Sequence, residues 1–297
     1  MSRSVVGVPL KRKKSYTRIL RANGFTFPLE ISPMWLLLLL LIPFTALAGF
    51  PPNNLDREDG LHFTTMTEQT FNSIIDNYVK IYAPIVASHG AQLVVNKLWT
   101  NPTVNANASK QGNKWVLNMY GGLARRPEIT PDGFALVLCH ESGHLLAGFP
   151  FYSGQDMAVE GQSDYESTHS CAKEIWKNER ITRIQPRNEL CDTRWSSQTY
   201  RGICSRSLEG GQSLANLLAV ISGQPMPSPE TPDTSVVSRT YQSHPKAQSR
   251  LDSYIAGAIC RRDFNINVMP KNEEEAFKYS CPTGTIGERP RSWFKPK

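Results

Sequence analysis

The stretch 134–147 is a run of apolar residues in which only His140, Glu141, Ser142 and His144 are polar. Thr130-Pro131-Asp132-Gly133 ahead of it carries a helix-start signal, so the run is expected to be an α-helix. Its flanks are as apolar as a helix at the floor of a cleft requires. On such a helix His140 and His144, four residues apart, project from one face one turn apart. Their ring nitrogens can then reach one ion at ~2.0–2.1 Å, and Glu141 between them is placed to act on a water at that ion. The spacing H-E-x-x-H therefore predicts a Zn2+ site, provided the chain supplies a third ligand.

The next helical pattern, over 157–176, begins with such a candidate. Glu160 follows His144 by sixteen residues, and a carboxylate from a neighbouring helix can complete a three-ligand site that keeps one position open. Asp164 lies one turn further along the same face. It is expected to stand behind a ligand histidine and accept its other ring N–H. Tyr165 and Glu166 turn away from that face. His169 is expected to pack or be solvated, and His62 and His89 belong to no partner pattern.

The remainder of the chain frames this pair of helices. Phe71, Ile74, Ile75, Tyr78, Val79 and Tyr82 recur at helical spacing within 61–88, and alternation predicts strands over 91–99 and 114–120 joined by the polar stretch 101–113. Further helices are expected over 213–222 and 245–259, with an exposed proline-rich loop over 223–238 between them. There is no internal repeat and no composition shift, so 49–297 is expected to be a single domain. The expected fold class is α+β, mainly helical, with a small sheet packed on the zinc-binding helix.

Charge and cysteines bear on where the chain works. Residues 1–48 hold seven of the 33 Lys and Arg and only one acid, Glu30, so the net charge of +7 resides almost wholly there. The rest is nearly neutral, which argues against nucleic acid as a partner. A basic start, the leucine-rich run 35–42, and Ala46-Leu47-Ala48 before Gly49 form the layout of a signal peptide cleaved after Ala48. Its apolar core of ~15 residues is short for a bilayer span. A membrane association is expected only if this segment is kept as an anchor. All 6 cysteines follow it, as disulfides in an oxidising compartment require, and Cys191 with Cys204 and Cys260 with Cys281 close the short loops.

Taken together, His140 to His144 followed by Glu160-x-x-x-Asp164 resembles the gluzincin metallopeptidases, the group that includes thermolysin. The metzincin pattern is excluded, since Ala147 and Pro150 stand where it places Gly and His. Val104-Asn105-Ala106 ahead of an edge strand, Tyr120-Gly-Gly-Leu before the zinc helix, and Ser243-His244-Pro245 with Arg250 following resemble the HtpX and CAAX-prenyl-protease group over roughly 90–260. The chain looks like an exported, soluble relative of that group. The resemblance implies a zinc-dependent endopeptidase acting on peptide or protein substrates in the periplasm or outside the cell. It implies His140, His144 and Glu160 as ligands, Glu141 as general base, and His244 as a catalytic group beside the developing oxyanion. The competing reading is a zinc-stabilised envelope binding or structural protein without turnover; Glu141 counts against it, because a structural site needs no base.

Overall fold

The computed structural model describes residues 48–51, 53, 66–179 and 188–297. The expected leader, apart from Ala48, and His62 lie outside them. Among the described residues no helix is long and apolar enough to cross a membrane.

Two residues, Ala48–Gly49, form β1. Helix α1, Glu68–Ser88, starts at Thr67, whose side chain accepts the Thr70 N–H, and it buries Phe71, Ile75, Tyr78, Tyr82, Ile85 and Val86 along one stripe. Strand β2, Gln92–Leu98, and strand β4, Lys114–Tyr120, lie where alternation places them. The polar stretch expected only to connect them contains a third strand, β3, Ala106–Gln111. Its Ala, Asn, Ser, Lys and Gln have weak β preference, so the strand owes its form to pairing. It runs antiparallel to β4 from Ala106 opposite Met119 to Gln111 opposite Lys114, turning at Gly112 with φ +63°. β2 is parallel to β4, giving the order β1-β3-β4-β2. Ala106, Ala108, Leu117 and Met119 face the core that also holds Phe134, Leu136 and Val137.

The short helix α2, Gly121–Ala124, leads to α3, Pro131–Leu146. Thr130 caps α3 by accepting the Gly133 N–H, and Pro131 fills the first turn, where a missing N–H costs nothing. Residues 133–145 of α3 are all buried, as expected of a helix apolar on every side. The following segment, expected as one helix, consists of α4, Glu160–Glu166, a π-helical turn, Ser167–Cys171, and α5, Ala172–Trp176.

After α6, Glu189–Arg194, comes α7, Gln198–Ser222, fifteen residues longer at its start than the periodicity indicates. Its first half is polar and glycine-bearing, which hides the helical signal. Gly211 near its middle serves packing: a Cβ there would stand 2.7 Å from Cβ of Tyr254, so α7 lies close against α8, Ala247–Ile259. A last helix, α9, covers Glu273–Tyr279. The 224–246 connection is free of helix and strand, in keeping with its prolines.

Three disulfides tie these helices together. Cys191–Cys204 joins α6 to α7, Cys260–Cys281 joins the end of α8 to the residues after α9, and Cys139–Cys171 joins α3 to the π-helical turn. By loop-closure entropy each contributes about 3–4 kcal/mol. The last one anchors the residue next to His140, so it fixes α3 against the segment that carries Glu160.

Candidate metal centre

α3 and α4 approach closely because Gly143 faces Ser163; a Cβ there would come within 2.9 Å of the Ser163 Cα. The approach brings His140, His144 and Glu160 together, with their ligand atoms all within 4.8 Å of one another. Nε2 of His140 is 3.1 Å from Nε2 of His144 and 3.3 Å from Oε2 of Glu160, and Nε2 of His144 is 3.6 Å from Oε1 of Glu160. Ligands at ~2.0–2.1 Å around a tetrahedral ion stand about 3.3–3.4 Å apart. The separations bracket that figure. The three residues are no more than 1% exposed.

The outer ring nitrogens of both histidines have oxygen partners. Nδ1 of His144 donates to the Ala158 carbonyl at 2.8 Å, and Nδ1 of His140 lies 2.8 Å from Oδ1 of Asp164. A single proton on each Nδ1 would leave both Nε2 lone pairs to face the space shared with Glu160. Oε2 of Glu160 accepts no hydrogen bond and lies 3.3 Å from Nε2 of His140 and 3.5 Å from Nη2 of Arg250. The group can hold a metal ion.

Around this group lie residues that the sequence left without a role. Arg250 grips Asp164 with two bonds, Nε to Oδ2 at 2.7 Å and Nη2 to Oδ1 at 2.8 Å, and its Nη2 is 3.5 Å from Oε2 of Glu160. Tyr254, one turn on from Arg250 along α8, donates to Oδ1 of Asp164 at 2.6 Å. Tyr152 donates to Oε1 of Glu160 at 2.8 Å, and its ring stacks on His144. The i, i+4 spacing of Arg250 and Tyr254 was a usable signal; nothing local marks Tyr152.

The electrostatics follow from burial and these partners. Burial works against a cation on His140, but the Asp164 carboxylate outweighs it and the ring is pushed up to about 9. Burial takes His144 down to about 4 despite the Glu160 charge. Asp164 is held below the usual carboxylate range against the cost of its burial, by Arg250 first and His140 next. Glu141 differs from all of them. It is fully buried, neither of its carboxylate oxygens has a hydrogen-bond partner, and burial raises it to about 8.

His244 stands at the solvent side of the group, 30% exposed, with Nε2 3.4 Å from Oε1 of Glu160. Tyr165 donates to the Gly287 carbonyl, and Glu166 accepts from Ser170 at 2.7 Å, so neither joins the cluster. His169 is buried beside Glu166, with Nε2 3.2 Å from the Arg262 carbonyl, in a packing role. His89 stacks on Trp115. No family model matches the chain, and neither the curated proteins nor the solved structures contain a match.

Proposed function

We propose that the protein is an exported zinc-dependent endopeptidase of gluzincin type. The observation that carries this reading is Glu141: a buried carboxylate with no hydrogen-bond partner, one residue from a ligand of a converging His-His-Glu group. A binding protein gains nothing from keeping such a group out of water. A peptidase needs it as a base whose affinity for protons is near neutrality.

His140, His144 and Glu160 would hold the ion, and Zn2+ bound there would supply a Lewis acid for acidifying water and polarising a peptide carbonyl. Glu141 takes the proton of the attacking water and returns it to the leaving nitrogen. Asp164 keeps the His140 proton on Nδ1, Arg250 and Tyr254 keep Asp164 ionised and in place, and Tyr152 orients the Glu160 carboxylate. His244, partly exposed beside Glu160, is placed to donate to the oxyanion. Three disulfides among the described residues support work in an oxidising compartment.

Metal analysis with a peptide hydroxamate tests the reading. The expected result is one zinc per chain and saturable hydroxamate binding that disappears when the metal is removed, since only an open zinc accepts it. One zinc that binds no hydroxamate is the result for the zinc-stabilised binding protein.

A further inference from the structure

The first described residues lie on the sheet edge nearest the metal centre. Without them β3 would present a row of unpaired backbone groups, which is a template for another strand. β1 takes that edge, antiparallel, with Ala48 opposite Ala108 and Gly49 opposite Asn107. The Phe50 N–H continues the pairing, 3.4 Å from the Ala106 carbonyl and 3.2 Å from Oδ1 of Asn105. Pro51 has no N–H with which to extend it, and Asn53 then fastens the segment by donating to the Val104 carbonyl at 3.2 Å.

This pairing carries Phe50 onto the metal centre. Its ring is 5% exposed and meets the His140 ring edge-on, with centroids 6.5 Å apart. The backbone contacts to β3 would serve any extended peptide, because β-augmentation takes its affinity from main-chain bonds and its selectivity from side-chain pockets. The one side-chain position so marked holds an aromatic ring beside His140.

We propose that residues 49–51, which the expected cleavage after Ala48 leaves on the chain, occupy with Asn53 the cleft in which a substrate strand binds, and that they must leave before turnover. The substrate is then an extended peptide lying antiparallel to β3, with an aromatic side chain in the Phe50 position. This rests on the peptidase reading of the same site. It adds a regulation to it: the chain is held closed by its own segment, tethered at an effective concentration on the order of millimolar.

The test is binding of a fluorescein-labelled peptide, Leu-Ala-Gly-Phe-Pro-Pro-Asn, to the full chain carrying Glu141→Gln, so that hydrolysis does not intervene. Adding Phe50→Ala weakens the tethered occupant and is expected to tighten peptide binding by about 10-fold or more. Asn53→Ala, outside the core, is expected to act in the same direction by a smaller factor, and the peptide with Ala for Phe is expected to bind poorly to both. If Phe50 is only a core residue, Phe50→Ala lowers the melting temperature and leaves peptide affinity unchanged, which overturns the proposal. Should Phe50→Ala not fold, unchanged affinity in Asn53→Ala overturns it equally. Tightened binding without cleavage by the Glu141 chain removes the peptidase reading and keeps the occupied cleft; cleavage without tightened binding does the reverse.

Discussion

Asp164 holds the Nδ1 edge of His140 at 2.8 Å, so a histidine of the candidate metal group on α3 is oriented by a carboxylate on α4. The same carboxylate neutralises the buried Arg250. Asp164→Asn is therefore expected to act twice. Metal affinity, read by competition with a chelating dye, falls ~10–100-fold as the orientation and basicity of His140 are lost. Stability falls by about 3–5 kcal/mol, because a buried guanidinium loses its countercharge. Adding Arg250→Met is expected to restore stability without restoring metal affinity. An Asp164→Asn protein that melts like the parent would contradict the pairing.

Glu160 and Glu166 lie on the same helix, one facing the histidines and the other Ser170 and Gln162. Glu160→Gln is expected to abolish tight metal binding, since it removes a ligand and a negative charge. Glu166→Gln is expected to leave metal affinity within about twofold of the parent, its cost confined to local hydrogen bonds of about 1 kcal/mol. Equal sensitivity of the two in the same dye titration would mean that the ligand face of α4 is misassigned.

Much of this centre can be read in the chain itself. The spacing of His140, His144, Glu160 and Asp164 predicts one shared face because helical geometry fixes direction over a turn or two. The metal-side group was legible for that reason, and so were the strands β2 and β4. β3 was not, since Ala106–Gln111 has no strand preference and is a strand only through its pairing with β4. Tyr152 and Phe50 reach the centre through loop and edge geometry, which no local pattern encodes. The helix expected over 157–176 missed its π-helical turn, at Ser167–Cys171, where Thr168 donates to the Tyr254 carbonyl of α8.

The second residue before His144 and its neighbour test how close α3 and α4 must be. Gly143→Ala puts a methyl group 2.9 Å from backbone that cannot yield without parting the helices. A cost of about 1–3 kcal/mol is expected, with weakened metal binding as Glu160 retreats from the histidines. Ser142→Ala, which removes a hydroxyl bonded to the Cys139 carbonyl of its own helix, is the control and should keep metal affinity. Chemical denaturation and dye competition on both variants decide the matter. Unchanged affinity in Gly143→Ala would show that the close approach is not needed.

Lys173 offers a pH signature away from the metal. Burial lowers its amine to about 7, against the pull of Glu166, although its Nζ donates to the Cys260 carbonyl at 2.9 Å and lies over the Trp195 ring. The unfolded chain holds that proton up to its ordinary value near 10.5, so between about 7 and 10.5 the unfolded state binds more protons and stability rises with pH. Below about 7 both states are protonated and the penalty is constant. Denaturation midpoints of the parent are expected to climb from pH 7 to 9 by more than those of Lys173→Met. Parallel curves would place the charge of Lys173 in water.

Hydrolysis by the Glu141→Gln variant tests the central claim most directly, measured on a casein-type substrate with zinc quantified in the same preparation. The account predicts that the variant keeps its zinc and its melting temperature, because Glu141 is not among the three ligands, while turnover falls by at least ~100-fold through loss of the general base. Zinc-replete Glu141→Gln protein that cleaves as fast as the parent, with contaminating protease excluded, would contradict it.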